Sequence, residues 1–253
     1  MFAQERQESI VNQVNIEGSV RVKDLSIKFA VTEDCIRKDL AILEKKGLLK
    51  KAYGGAVSVR QNPHMYKSEE RKNTPNDERV VIAKKAITLI SEKDIIFLDV
   101  SLTSIEIAKL LRESSLQVTV MTNMIDVLNI LSLCSHISII FIGGQLNQER
   151  DGFWGSLSVQ MIHSFKIDKA FLGVVGVDTL TGQLSTYHVD DGFMKTTLIQ
   201  QSQMSYLLCE ERKFKEDGSF VFASLNDVSG LLISKELHTK IKEDLEEYGL
   251  VII

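Results

Sequence analysis

Residues 32–55 contain the sequence pattern that most constrains the fold of this chain. Ile36, Leu40 and Leu43 recur at the i, i+4 and i+7 spacing of one helix face, so they are expected to point into a core. Thr32 precedes the pattern and is a suitable N-cap, because its hydroxyl can accept a hydrogen bond from a backbone N–H of the first turn. The pattern therefore predicts a short amphipathic helix that packs one side against its neighbours.

The other side of this helix and the segment after it are cationic. Arg37 and Lys38 lie off the apolar face, and Gly47 ends the helix. A strand, a tight turn and a returning strand follow, and this hairpin includes Lys50, Lys51, Tyr53, Gly54 and Gly55. A basic helix fits the DNA major groove and a basic hairpin can reach phosphates, so the order predicts a winged helix-turn-helix. The alternative is that Arg37 and Lys38 form only a solvated face.

Charge is divided unevenly along the chain. Residues 1–60 hold 11 Lys and Arg against 8 Asp and Glu, whereas the whole chain holds 30 against 34. A small basic part joined to a larger acidic part predicts nucleic-acid contact confined to the N-terminus. The excess of positive charge in residues 1–60 is modest. It agrees with the DNA-binding interpretation of the helix pattern but would be weak evidence alone.

Length and composition favour two domains. A chain of 253 residues is long enough for a second core, and both prolines, Pro63 and Pro75, lie in a polar stretch typical of a linker. We predict a winged helix-turn-helix domain at 1–60, a linker at 61–78, and an effector-sensing and oligomerisation domain at 79–253. No membrane span is expected, because no apolar run approaches 18 residues. Scattered cysteines and an N-terminus without a secretory apolar segment predict a cytoplasmic protein.

From residue 79 the pattern changes to apolar runs that alternate with helical segments. Ile95–Leu98 is a continuous apolar run of the kind buried on both faces of a sheet. The alternation predicts an α/β domain with a mostly parallel sheet. The strands are predicted near 95–98, 118–121, 137–142, 169–175, 205–209, 229–233 and 250–253, and the helices near 103–112, 124–132, 156–165, 188–202 and 235–247.

Ligands of parallel sheets bind at the carboxyl ends of strands, which directs attention to the loops there. The loop after residue 98 offers hydroxyls and free backbone N–H groups for an anion, and glycines elsewhere permit close approach. The candidate residues are Asp99, Ser101, Thr103, Ser104, Thr122, Asn123, Gly143, Gly144, Asp178, Lys195, Glu210 and Lys213. No dinucleotide fingerprint, phosphate-binding P-loop or metal-ligand spacing is present, so no cofactor or metal is expected.

Several of these positions have structural alternatives. The alternatives are a tight turn at Gly143-Gly144, a turn at Asp178, a surface ion pair between Asp191 and Lys195, structural histidines at 163 and 188, and a packing role for Trp154.

The N-terminal motif resembles DeoR-type bacterial transcriptional regulators of sugar metabolism. Their third helix reads Ser-Glu-x-Thr-Ile-Arg-Arg-Asp-Leu and their wing ends in Gly-Gly-Ala; here these positions are residues 32–40 and 54–56. The resemblance implies binding to a double-stranded DNA operator through Thr32, Glu33, Cys35, Arg37, Lys38, Lys50, Lys51, Tyr53, Gly54 and Gly55. Cys35 stands in place of Thr and Lys38 in place of Arg, which leaves the operator sequence open.

The remainder resembles the DeoR sensor domain, which is related in fold to ribose-5-phosphate isomerases and glucosamine-6-phosphate deaminases. The resemblance rests on Leu98-Asp99 with Thr103, Thr122-Asn123, Ile142-Gly143-Gly144, Gly176 with Asp178, Lys195, and Lys213-Phe214. It implies that these loops surround a phosphorylated sugar or a related effector. Ser101 and Leu102 replace Gly and a hydroxyl residue, and Glu210 adds a carboxylate, so the effector is open.

These observations predict a repressor of carbohydrate-utilisation genes, acting as a homodimer or homotetramer and modulated by a sugar phosphate. The first alternative is a sugar-phosphate isomerase or deaminase that uses Asp99, Asp178 and Lys195. The second is a regulator whose C-terminal domain only assembles the protein and binds no ligand.

Overall fold

The structure is a computed structural model that describes residues 3–17, 19–58, 77–148 and 151–253. The described residues form two compact units that divide at residue 61, with residues 238–243 grouped with the first. The predicted linker 61–78 lies outside the described residues except for Asp77 and Glu78, which begin a helix. None of the described helices combines the length and apolar character that a membrane span requires.

The N-terminal unit is the predicted winged helix-turn-helix. Its strands form an antiparallel sheet in the order β1-β3-β2. Ile36, Leu40 and Leu43 are buried as their spacing predicts, and they pack with Ile10 and Leu25. The elements are α1 (Ala3–Glu17), β1 (Ser19–Arg21), α2 (Val22–Phe29), α3 (Glu33–Lys45), β2 (Leu49–Ala52) and β3 (Gly55–Ser58).

The second unit is built on a seven-stranded parallel sheet in the order β15-β14-β12-β9-β4-β5-β6. Its strands are β4 (Ile95–Leu98), β5 (Thr119–Thr122), β6 (Ser138–Phe141), β9 (Ile167–Gly173), β12 (Ser202–Leu208), β14 (Gly230–Leu232) and β15 (Val251–Ile252). The described helices are α4 (Asp77–Thr88), α5 (Leu102–Glu113), α6 (Ile125–Leu131), α7 (Ser156–Ile162), α8 (Val189–Gln201) and α9 (Thr239–Glu246). The α/β class and the parallel sheet predicted from the sequence are confirmed.

Two small antiparallel sheets were not predicted. One pairs β7 (Gln145–Leu146) with β8 (Phe153–Trp154), and the other has the order β10 (Gly176–Val177), β11 (Gln183–Thr186), β13 (Phe220–Ser224). These strands are two to five residues long and partly polar. Such short segments carry too few positions to display a period.

The strand order creates a switch point between β4 and β9. From β4 the chain proceeds outward through β5 and β6, and then returns to place β9 on the opposite side of β4. Phe97 in β4 and Phe171 in β9 are fully buried, so both faces of the sheet centre are covered. The loops after β4 and β9 diverge, which leaves a crevice at their carboxyl ends where open α/β sheets bind ligands.

Candidate DNA-binding surface and ligand cleft

Helix α3 presents the predicted cations on its exposed side. Thr32 caps the helix by accepting a hydrogen bond from the Cys35 N–H at 3.3 Å, as predicted. The guanidinium of Arg37 donates to Glu33 Oε2 at 2.6 Å and to Asp34 Oδ1 at 2.7 Å. Lys38 is exposed and makes no ion pair with another described residue.

The wing is hydrogen-bonded to α3 through Lys51 and to the start of α2 through Gly54, whose backbone oxygen accepts from the Val22 N–H at 2.9 Å. The backbone N–H of Lys51 donates to the Glu44 carboxylate of α3 at 2.8 Å. Lys50 and Lys51 are exposed, and Tyr53 projects fully into solvent. Gly54 has a φ of +76°, which favours glycine and forms the tight turn. The wing therefore exposes two ammonium groups and an aromatic ring on a fixed strand pair.

Two residues predicted to contact DNA, Cys35 and Gly55, make close contacts within the unit. The half-buried Cys35 thiol accepts a hydrogen bond from Arg6 Nη2 at 3.3 Å. Gly55 is buried, and a Cβ there would lie 1.9 Å from the backbone oxygen of Val20. Gly55 is therefore needed for the close approach of β3 to β1, and both residues have structural roles in the unit.

A buried ion pair joins α3 to α1 and was not predicted. Arg6 Nε lies 2.6 Å from Asp39 Oδ2, and the two side chains are only 9% and 5% exposed. Gln7 donates to the other Asp39 oxygen at 2.9 Å. Asp39 falls on the motif of the third helix, but its partner lies 33 positions earlier and no local spacing links them.

A ligand cleft of about 130 Å³ lies at the switch point, beside the ends of β4, β9 and β12. Five of the predicted effector residues line it: Ser101, Thr103, Lys195, Glu210 and Lys213. The sequence did not predict the remaining polar and aromatic lining, which is Asn147, Asp151, Trp154, Thr186, Tyr187, His188, Asp191 and Arg212.

A buried network of acids around one lysine forms the base of the cleft. Lys195 of α8 donates to Asp99 Oδ2 at 2.7 Å and to Asp191 Oδ1 at 2.6 Å. Gly173 N–H also donates to Asp99, and the Thr186 hydroxyl donates to Asp191. The alternative of an ion pair between Asp191 and Lys195 is correct in its partners and wrong in its surface location, because Lys195 is 3% exposed and Asp191 is 7% exposed.

The charges of this network depend on one another. Burial alone would lower the pKa of Lys195, but Asp191 and Asp99 outweigh burial and raise it above the ordinary lysine value. Burial raises the pKa of Asp99, and the attraction of Lys195 offsets only part of that shift. Asp99 Oδ1 is buried without a hydrogen-bond partner among the described residues. A ligand hydroxyl is the kind of group that such carboxylates can accept from.

Cations lie near the other end of the cleft, after β12. Arg212 donates to Glu210 at 3.0 Å and to Glu216 at 2.7 Å, so the Glu210 carboxylate is neutralised by its neighbours. The ammonium of Lys213 lies 3.5 Å from Glu216 and is nearly buried. The carboxylate that Glu210 adds would repel an anion, and its pairing with Arg212 reduces that repulsion.

Burial sets the pKa of Lys213. It lowers this pKa to about 8, with the adjacent Arg212 adding to the shift and Glu216 and Glu210 opposing it. Burial would raise the pKa of Glu210, but the hydrogen bonds and charge of Arg212 lower it overall. Lys213 thus titrates near pH 8, beside the Glu210 carboxylate whose pKa is lowered.

The start of α5 forms one wall. Ser101 caps the helix by accepting from the Ser104 N–H at 3.1 Å, which leaves the first-turn backbone of Leu102 and Thr103 at the cleft. A Cβ at Gly173 would lie 2.8 Å from the Ser101 Cβ, so glycine allows the β9 end to approach this turn. The wall offers helix N-terminal N–H groups of the kind that bind anions.

The opposite wall is aromatic. The rings of Trp154, at the end of β8, and His188, which precedes α8, lie 5.1 Å apart between centroids. Asn147 holds the hairpin in place by donating to Asp151 Oδ1 at 2.6 Å. The sequence indicated only a packing role for Trp154. It did not place this ring at the cleft, because no local pattern links β8 to the start of α8.

Seven predicted effector residues fall outside the cleft lining: Asp99, which is fully buried against Lys195, and six others. Asn123 donates to the Phe153 backbone oxygen at 2.7 Å, and Thr122 donates to the Leu98 backbone oxygen at 2.7 Å. Asp178 accepts from the N–H groups of Leu180 and Thr181, which is the turn role that the sequence left open. The others are Ser104, Gly143 and Gly144.

These three residues also have packing roles. The Ser104 hydroxyl bonds to Ser101 at 2.8 Å. The backbone oxygen of Gly143 accepts from Ser158 at 2.7 Å, and a Cβ at Gly144 would lie 2.1 Å from the same hydroxyl. They support the loops around the cleft without lining it.

Two family models match the chain. The DeoR-like helix-turn-helix domain matches residues 6–62, and the DeoR C terminal sensor domain matches residues 75–235. These matches cover the winged unit and most of the parallel sheet.

Curated relatives match over nearly the whole length of both chains. The HTH-type transcriptional regulator YulB of Bacillus subtilis is 34% identical, over 98% of this chain and 95% of that protein. The lactose phosphotransferase system repressor of Staphylococcus epidermidis is 30% identical, over 98% of each. The HTH-type transcriptional repressor GlcR of Bacillus subtilis is 29% identical, over 97% of this chain and 93% of that protein.

Among solved structures, ribose 5-phosphate isomerase A from Methanocaldococcus jannaschii covers 58% of this chain and 55% of its own, with a TM-score of 0.40 and 17% identity. The family assignment rests on the two models and the relatives, and these describe a regulator that binds DNA. The chain belongs to the DeoR family of DNA-binding transcriptional regulators and is not an enzyme.

Proposed function

We propose that the protein represses carbohydrate-utilisation genes and is modulated by a phosphorylated sugar. The observation that carries this proposal is the cleft, which has ammonium and guanidinium groups near one end and the carboxylates of Asp99 and Asp191 at its base. The names of similar proteins, which include a lactose phosphotransferase system repressor, support the sugar-linked role. In this function the N-terminal unit binds the operator, and a ligand in the C-terminal unit changes the affinity of that binding.

In this proposal α3 enters the major groove and the wing contacts phosphates. Arg37 is the side chain suited to base edges, because its planar fork can pair with a guanine. Lys50 and Lys51 are exposed and suited to phosphates, and such contacts supply affinity on any sequence.

We propose that the DNA-bound form is a homodimer or homotetramer. Helix-turn-helix proteins read paired half-sites whose symmetry mirrors that of the protein. Helix α8 supports assembly close to the cleft, since Val189 and Phe193 are 51% and 55% exposed while Lys195 is buried against the ligand side. An effector changes operator affinity only if it binds one subunit arrangement more tightly than another.

Selection of genomic fragments that bind the purified protein tests the proposal. We expect fragments that share paired half-sites beside carbohydrate genes, and we expect a sugar phosphate to alter their retention. If the retained fragments shared no sequence, that result would contradict the operator role. Retention unaffected by a broad panel of sugar phosphates would contradict the sensing role and favour an assembly domain.

Replacing Arg37 with Ala is expected to weaken binding to a recovered operator by about 1–3 kcal/mol if the side chain reads a guanine edge. Binding to random DNA should change much less, because phosphate contacts made by the wing remain. Titrations of both duplexes at one fixed salt concentration measure the difference. An equal loss on the two duplexes would identify Arg37 as a phosphate contact.

Affinity for a sugar phosphate is expected to fall as pH rises through 8. Lys213, whose pKa is lowered to about 8, loses its charge there. Above that pH the affinity should drop by up to about tenfold per pH unit, because each binding event must then take up a proton. The phosphate itself stays dianionic, since its second pKa is about 6.

Fluorescence of Trp154, the only tryptophan, measures this binding from the wall of the cleft. Lys213→Met is the matched control: it should bind weakly and lose the pH dependence, while Glu210, Glu216 and Arg212 remain. Wild-type affinity that stays constant from pH 7 to pH 9 would exclude Lys213 as the anion contact.

A further inference from the structure

Two carboxylates clasp the arginine that α3 presents outward. Glu33 and Asp34, one turn before Arg37, hold separate nitrogens of its guanidinium at 2.6 and 2.7 Å. The Arg37 side chain is 55% exposed, and those of Glu33 and Asp34 are 46% and 82% exposed. Exposed pairs of this kind add little to stability. On a surface that faces DNA, the two carboxylates weaken binding, because they repel phosphates.

The ion pairs of Arg37 with Glu33 and Asp34 change where unpaired positive charge lies on this surface. Glu33 and Asp34 balance Arg37 and Lys38, so residues 33–38 at the start of α3 carry no net charge. On α3 and the wing, the lysines that form no ion pair with another described residue are Lys38, Lys45, Lys46, Lys50 and Lys51. Four of these five lie at the end of α3 or on the wing, so most of the unpaired positive charge of these two elements lies away from the start of α3.

We infer that Glu33 and Asp34 are specificity-determining residues, which act by positioning Arg37 and do not themselves contact DNA. The two carboxylates hold the Arg37 guanidinium in one orientation, and a bidentate contact with a base requires such a fixed orientation. The same acids prevent Arg37 from settling on any nearby phosphate, which would add affinity without discrimination. This inference rests on the proposed operator-binding function, and it assigns Glu33 a different role from the direct contact implied by the family motif.

The test compares a recovered operator with a random duplex of equal length across a series of salt concentrations. In Glu33→Gln/Asp34→Asn we expect affinity for random DNA to rise about three- to tenfold, because Arg37 becomes free to bind a phosphate. The ratio of operator to random affinity should fall about tenfold. The salt dependence on random DNA should steepen by about one phosphate contact.

Two further variants give matched comparisons. Glu8→Gln removes an exposed carboxylate from α1 of the same unit and should shift the two affinities equally. Arg37→Lys keeps the charge but loses the fork, so it should lower the ratio as the double variant does. Asp34→Asn alone, at the more exposed position, gives the same test with less effect on the start of the helix, where acids favour the helix dipole. A thermal melt checks that each variant is folded.

Different outcomes separate this inference from the proposed function. If wild-type protein binds an operator selectively and the double variant keeps the same ratio, Glu33 and Asp34 do not position Arg37. An equal loss on both duplexes likewise overturns the inference, because it indicates a general role in folding or affinity. If wild-type protein prefers no sequence at all, the proposed operator function fails first.

Discussion

Replacing Lys195 with Met is expected to destabilise the C-terminal unit by about 3–5 kcal/mol, the usual cost of removing one partner from a buried ion pair. Asp99 and Asp191 would remain buried and would lose the cation that lies 2.7 and 2.6 Å away. Methionine fills most of the space of the lysine stem, so lost packing contributes little. Urea unfolding followed by Trp154 fluorescence measures the free energy change.

The loss should depend on pH in a defined direction. Without Lys195, a buried carboxylate has a folded-state pKa raised above its unfolded value, so the folded state holds extra protons and is favoured as pH falls. The difference between variant and wild type is therefore expected to be larger at pH 7 than at pH 5. Lys109→Met removes a more exposed pair with Glu106 and should cost less than about 1 kcal/mol at either pH. A Lys195→Met loss as small as that of the control would show that water or rearrangement satisfies the acids.

Replacing Arg6 with Met is expected to cost the N-terminal unit about 3–5 kcal/mol, because Asp39 would be left buried without a cation. Gln7 still donates to Asp39, which offsets part of the loss. Since Arg6 joins α1 to α3, operator affinity should fall together with stability. Circular dichroism melts and operator titrations measure the two effects.

A control at the surface of the same unit separates these effects from charge alone. Lys28→Met removes an exposed cation whose contacts among the described residues are a hydrogen bond to the half-buried Gln13 side chain and the Phe29 ring, so the melting temperature should change little. Arg37→Ala should weaken operator binding without lowering stability, whereas Arg6→Met should lower both. Unchanged stability in Arg6→Met would show that the Arg6–Asp39 pair does not hold α1 against α3.

The sequence alone determined the elements whose signals are local. The i, i+4, i+7 spacing on α3, its Thr32 cap and the apolar runs of the parallel sheet are each readable within about a dozen residues. The rule that ligands bind at strand carboxyl ends also led to Ser101 and Lys213, which line the cleft.

Only the tertiary structure decided which of those strand ends meet. The sheet order places β9 beside β4, so the cleft gathers residues that follow β4, β9 and β12, while Asn123 and Asp178 hold backbone elsewhere. The same folding buries Asp191 with Lys195 and brings Arg6 to Asp39. The sequence does not distinguish a charged residue that is buried in an ion pair from one that is exposed to water. The partner that makes burial possible lies far along the chain. Periodicity records which face of one element is buried, and strand order together with long-range packing determines what that face meets.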